Sequence, residues 1–162
     1  MASVDDIPSW EHAAPTLAAS FGRLQEQKWL KAWQGGDLDA KDEEGWSALQ
    51  RAAAEGLAVA AKELLRRPGV DANGVEPTKG QPALVLASRG GHEAVVRVLL
   101  AHAGVEVNLA QTTGHTALCV AAHFGHTAVV ELLLAHAAVD ADQADQMGRT
   151  PLWMAARCKQ GA

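Results

Sequence analysis

The chain has 162 residues, 48% of them hydrophobic, and a formal net charge of −5. That length suits one ordinary domain, and with no Tyr and only two Phe the burial falls to small apolar side chains, which favours close-packed helices over a sheet of bulky residues. The acidic excess argues against nucleic acid as a ligand, because phosphate binding needs clustered Lys and Arg, and Arg66-Arg67 is the one basic pair.

No apolar stretch approaches the length of a membrane span, so no direct membrane insertion is expected. Residues 1–10 carry Asp5 and Asp6 and no basic residue, unlike a secretory or mitochondrial leader. Cys119 and Cys158 form neither a framework nor a CxxC pair, which suggests a reducing compartment. The expected location is intracellular, cytoplasmic or nuclear.

In chain order, residues 1–15 lack periodicity and read as an irregular arm that Trp10 could anchor. Over residues 16–33, Leu24, Trp29, Leu30 and Trp33 have helical spacing, and Asp37-Leu38-Asp39 resembles the later repeat ends. Residues 16–42 therefore read as a degenerate capping repeat. Beyond it a pattern recurs with a period of about 34 residues. Its copies open on Gly45-Trp46-Ser47-Ala48-Leu49, Gly80-Gln81-Pro82-Ala83-Leu84, Gly114-His115-Thr116-Ala117-Leu118 and Gly148-Arg149-Thr150-Pro151-Leu152. Alanine follows each leucine at the same offset (Ala52, Ala87, Ala121, Ala155), and the first three copies then have Gly56, Gly91 and Gly125. Paired leucines close a second apolar stretch at Leu64-Leu65, Leu99-Leu100 and Leu133-Leu134. The copies span residues 43–75, 76–110 and 111–144, and a partial one spans 145–162.

These segments resemble the ankyrin-repeat family. Thr150-Pro151-Leu152-Trp153-Met154-Ala155 is close to the family signature, and Gly91-His92 and Gly125-His126 match its step between helices. Ser47-Ala48, Pro82-Ala83 and Thr116-Ala117 depart from Thr-Pro, which should weaken capping, and no copy keeps the His after the leucine. The resemblance implies an all-α solenoid of about four to five repeats, each a helix–turn–helix with a β-hairpin finger. Periodicity agrees. Residues 48–55 and 117–124 read as first helices, and 58–66, 93–101 and 127–135 as second helices. Glycine at 56, 91 and 125 should end each first helix in the left-handed conformation. Helices this short need stacked neighbours. Leu49, Leu84, Leu118 and Leu152 should therefore be buried equivalents, as should the four alanines.

Motifs for chemistry are wanting. Asp37, Asp39 and Lys41 start like a calcium loop, but Asp42 stands where Gly is needed and Ala48 where Glu is needed. The repeat frame scatters His115, His123, His126 and Cys119, so no metal is expected; His92 and His126 instead suit turn histidines bonded to backbone. No nucleophile elbow, phosphate loop or zinc-protease motif occurs, so neither catalysis nor a cofactor is expected.

What the resemblance implies is a protein partner held across fingers and first helices. In that frame the finger candidates are Glu43, Glu44, Trp46, Lys79, Gln81, His115, Met147 and Arg149, and the first-helix candidates are Glu55, Arg89, His123, Phe124 and Arg157. Trp46, Phe124 and Met147 are expected to face solvent. The function read here is a scaffold or adaptor. The alternative is a permanent subunit of a larger assembly, because the last copy has no second helix and the outer side of Val129, Val130 and Leu133 is expected to want cover. Leu99 to Asn108 also resembles the leucine-rich segment that asparaginyl hydroxylases accept, which makes Asn108 a candidate for hydroxylation; the competing reading is an Asn that bonds the turn before the next finger.

Overall fold

The computed structural model describes residues 41–42 and 45–159. The expected arm with Trp10, residues 16–40 of the expected capping repeat, Glu43 and Glu44 lie outside the described residues. Among the described residues seven helices follow in order: α1 Ala48–Ala54, α2 Ala58–Leu65, α3 Ala83–Gly90, α4 Glu93–Leu100, α5 Ala117–Phe124, α6 Thr127–Leu134 and α7 Pro151–Lys159. Most expected ends overran by one residue, because Glu55, Arg66, Ala101 and Ala135 are helix caps.

The odd-numbered helices stack on one another in one layer, and α2, α4 and α6 stack in a second. The core lies between the layers. Leu49, Leu84 and Leu118 are buried there, with Ala52, Ala87 and Ala121 and the second-helix residues Leu64, Leu99 and Leu133. The expected equivalence fails at the last copy. Leu152 is 79% exposed, against 2% for Leu49, and Ala155 is only half-buried. A leucine at this position is covered by the next first helix, and among the described residues none stacks beyond α7.

The expectation for Val129, Val130 and Leu133 is also corrected. Val129 and Leu133 are buried, and Val130 packs half-buried against the core. They belong to the side of α6 that meets α4 and α5. The exposed large apolar residue of that helix is Leu134, whose equivalents Leu65 and Leu100 are half-buried.

Capping is stronger than the departures from Thr-Pro suggested. The Ser47 hydroxyl accepts from the Gln50 N–H at 3.3 Å, and the Gln50 side chain accepts from the Ser47 N–H at 2.8 Å, a complete capping box. Thr116 caps α5 through the Cys119 N–H and Thr150 caps α7 through the Trp153 N–H. Only Pro82, of these four, makes no side-chain cap bond.

Gly56 and Gly91 have φ of 75° and 68°, and each is also approached by the next repeat. A Cβ on Gly56 would lie 2.7 Å from His92 Nδ1, and one on Gly91 would lie 2.7 Å from His126 Nδ1. Those histidines reach back across the stack. His92 Nε2 bonds the Ala54 carbonyl and His126 Nε2 the Arg89 carbonyl, each at 3.0 Å. They satisfy C-terminal carbonyls of the preceding first helix. The turn-histidine reading holds, with the bond running between repeats.

The fingers are short hairpins closed by backbone bonds, Gln111 N–H to His115 O at 3.0 Å and Asp145 N–H to Arg149 O at 3.0 Å among them. The described residues contain no extended strand, and a single antiparallel bridge joins Val75 to Pro82. The second finger runs from Glu76 to Gln81, one residue longer than the others. That absorbs the longer first interval between repeat leucines.

Candidate binding groove

Fingers and first helices enclose a groove of about 470 Å³. The repeat frame sets it out in rows. Trp46, Gln81, His115 and Arg149 hold equivalent positions on the fingers. Arg51, Leu86, Val120 and Met154 form the next row on the first helices, and Ala54, Arg89, His123 and Arg157 form the row near their ends. The last three repeats supply all of the lining.

The finger row is tied together by side chains. Gln81 Nε2 donates to Gln111 Oε1 at 2.7 Å, and Gln111 Nε2 donates to His115 Nδ1 at 3.0 Å. His115 Nε2 stands 2.9 Å from Asp145 Oδ2. Asp145 is acceptor-only when ionised, so a proton on His115 Nε2 suits this contact, and Arg149 Nη2 stands 3.1 Å from the same nitrogen. Arg149 completes the chain through Nε at 2.6 Å from Asp145 Oδ2. Backbone bonds add Thr112 N–H to Lys79 O and Gln146 N–H to Thr113 O. The network fixes the floor on which a ligand would rest.

Two carboxylates set the finger geometry. Burial pushes the Asp145 carboxyl up, but the Arg149 backbone N–H and guanidinium, with the Met147 N–H, outweigh it and bring the pKa down to about 2. Glu76 behaves alike in the longer finger. Burial raises it, while the Thr78 hydroxyl and the N–H groups of Thr78, Lys79 and Gln81 lower it further. A longer acid serves the longer loop. Both carboxylates are internal braces with their acceptor sites occupied.

The candidate residues divide. Lys79, Arg89, His123, Phe124, Met147, Arg157 and Glu55 are exposed. Phe124 is 49% exposed and lies beneath the Arg89 guanidinium, 5.7 Å from its centroid. Gln81 is buried at 5% exposure, because its amide is committed to Gln111. Trp46 is also corrected: it is half-buried against the core, with Arg51 over its ring at 4.8 Å. His115 and Arg149 are held in the network with limited exposure. Met147 and Glu55 are not among the residues lining this groove.

Sequence reasoning missed Trp153. Its equivalents Gln50, Val85 and Cys119 are all buried, so the frame assigns it to the core. Instead it is 42% exposed and lines the groove between two guanidinium groups, Arg149 at 5.6 Å and Arg157 at 5.3 Å. The signal available was its size, a Trp where the family signature has His.

Asn108 lies outside this groove. Its Nδ2 donates to Ala138 O at 2.7 Å and its Oδ1 accepts from the Asp140 N–H at 2.8 Å. Asn73 makes the same pair one repeat earlier, to Gly104 O and the Glu106 N–H. These amides stitch successive repeat ends together, where the sequence suggested a bond within the turn before the next finger. Among the described residues no three His, Cys, Asp or Glu side chains converge as a metal ion requires.

The stacked helical hairpins and fingers define a repeat-solenoid binding protein. A family described as ankyrin repeats, in three copies, matches residues 16–111 and 102–162, and the chain belongs to the ankyrin-repeat family. No curated protein matches it. Ankyrin repeats generally mediate protein–protein interactions, and proteins built of them are typically non-enzymatic scaffolds.

Proposed function

We propose that the chain is a scaffold or adaptor that holds a protein partner across its fingers and first helices. One observation carries the reading: Phe124 and Trp153, both large, aromatic and partly exposed, flank a groove whose floor is braced by hydrogen bonds. Aromatic and Arg side chains in a fixed setting are the usual anchors of protein interfaces. Free thiols at Cys119 and Cys158 support a reducing, intracellular setting. No helix among the described residues is long and apolar enough to cross a membrane.

The test is quantitative affinity purification with the wild-type chain, a Phe124→Ala/Trp153→Ala variant and a Lys62→Glu control on α2. Partners specific to the groove should be lost with the aromatic pair, at a cost above about 2 kcal/mol of binding, and kept by the control. Equal recovery by all three would remove the groove as the binding face.

The permanent-subunit reading is favoured by a different observation, the exposure of Leu134 and Leu152 at 54% and 79%. Hydroxylation of Asn108 is retained as a proposal resting on the sequence resemblance. With both ends of its amide engaged, the enzyme would have to pull successive repeat ends apart. An added oxygen on the peptide holding Asn108, in the mass spectrum of native protein, is the expected result.

A further inference from the structure

The chain carries five more negative than positive charges, yet among the described residues no acidic side chain lines the groove. Lys79, Arg89, Arg149 and Arg157 all line it, with His115 and His123 between them. Arg149 is neutralised by the buried Asp145. Lys79, Arg89 and Arg157 are exposed and have no carboxylate partner among the described residues. Exposed or half-buried acidic residues outside the groove include Glu63, Glu93 and Glu131 on the second helices and Glu55 at the end of α1. The second-helix arginines differ: Arg66 and Arg97 are paired with Glu63 and Glu93. Three free cations, Lys79, Arg89 and Arg157, thus share one groove, while Lys62 and Arg67 are free outside it; desolvation by a ligand would leave the groove cations unpaired unless the ligand brings the charge.

We propose that the groove's partner is an acidic peptide segment, bound extended across the repeats, with carboxylates at intervals of three residues or multiples of three. This rests on the reading of the groove as a protein-binding face. The interval follows from the frame. Arg89, His123 and Arg157 hold the same position on α3, α5 and α7, which stack directly. Packed helix axes lie about 8–10 Å apart. An extended polyproline-II chain rises about 3.1 Å per residue with about three residues per turn, so about three residues span one repeat and every third side chain faces the groove. Carboxylates placed over Arg89 and Arg157 are then six residues apart, with Lys79 available on the finger side. Phe124 and Trp153 give apolar side chains between those acids a surface to pack on, and the cations already above both rings hold them in place. A nucleic acid suits the groove less well. Three unpaired cations on a chain of net charge −5 are few for a polyanion whose affinity grows with each phosphate neutralised.

The experiment uses the full chain and fluorescein-labelled peptides read by anisotropy. One probe has Glu at every third position with Leu and Ser between; a second has Gln in place of each Glu; a third gathers the Glu residues at one end. A labelled single-stranded oligothymidylate is the nucleic-acid probe. The first peptide is expected to bind at least tenfold tighter than the other two, and to weaken as salt rises. Arg89→Glu/Arg157→Glu should cost it tenfold or more, and Lys62→Glu should not change it, each variant being checked for wild-type circular dichroism. If the Gln peptide binds as well and still depends on Phe124 and Trp153, the acidic reading is overturned and the groove stands. If no peptide responds to the aromatic or the arginine changes, both readings are overturned. Tighter binding of the oligonucleotide, lost on charge reversal, overturns the peptide in favour of nucleic acid.

Discussion

Ser88 is fully buried on α3, and its hydroxyl meets no hydrogen-bond partner among the described residues. The repeat frame puts Ala53, Ala122 and Ala156 at the equivalent positions, so alanine suits the space. A buried, unpaired hydroxyl costs its hydration without return. Ser88→Ala should therefore be neutral or stabilising by up to about 1 kcal/mol, read from urea unfolding. A clear loss of stability would show that the hydroxyl has a partner. Asp145 is the opposite case, a buried polar group with every bond made. Its folded pKa of about 2 lies below the ordinary 3.8. A depressed carboxyl pKa stabilises the fold above the unfolded value, and the contribution is lost as pH falls through the folded one. Wild type should be the more stable of wild type and Asp145→Asn near pH 6, and the gap should close between about pH 4 and pH 2. A gap independent of pH would assign the loss to geometry and not to charge. The value of either residue was invisible in sequence, where Ser88 looks like a variant Ala and Asp145 like a loop acid.

At the scale of helices, the contacts between repeats matter more than propensity. Each helix has seven to nine residues, short of what stands alone in water. The Gly-His step is one of the joints that fix their register, since the glycine of one repeat makes room for the histidine of the next. Gly91→Ala should cost about 1–2 kcal/mol for the left-handed backbone, and more for the overlap with His126. His126→Ala should cost about 1 kcal/mol through the lost bond to Arg89 O. The double variant should be less damaging than the sum, with a coupling of about 0.5–3 kcal/mol, because the overlap is relieved once the ring is gone. Strict additivity would mean that the two do not meet. Sequence alone displayed both residues, and the repeat of leucine, alanine and glycine was enough to place the helices read from it within one residue of their ends. It could not show that the histidine serves its predecessor's carbonyl, because that contact spans two repeats and leaves no local periodicity. Gln81 and Trp46 were misjudged for the same reason. Their burial depends on what the neighbouring finger or helix brings against them.

For the molecule as a whole, the repeat frame predicts equal burial at equivalent positions, and the departures from it show where an outside surface would count. Trp153 departs towards the groove and contributes to the proposed binding face. Leu152 and Leu134 depart at positions whose equivalents a following repeat covers wholly or in part. Replacing Leu84 or Leu118 by Ala should cost about 2–5 kcal/mol, since each leaves a cavity between stacked helices. Leu152→Ala should stay within about 0.5 kcal/mol, because the side chain is already in water. The difference isolates the effect of cover at one frame position. A covering surface could recover about 1.5–3 kcal/mol for each fully buried leucine, enough to favour association at high concentration. If the permanent-subunit reading is right, light scattering of the isolated chain should show self-association rising with concentration. Leu134→Glu/Leu152→Glu should abolish that association and leave the midpoint measured at monomeric concentration unchanged, since neither leucine is part of the buried core. An isolated chain that stays monomeric throughout, with the same unfolding curve as the double variant, would leave the adaptor reading without this competitor.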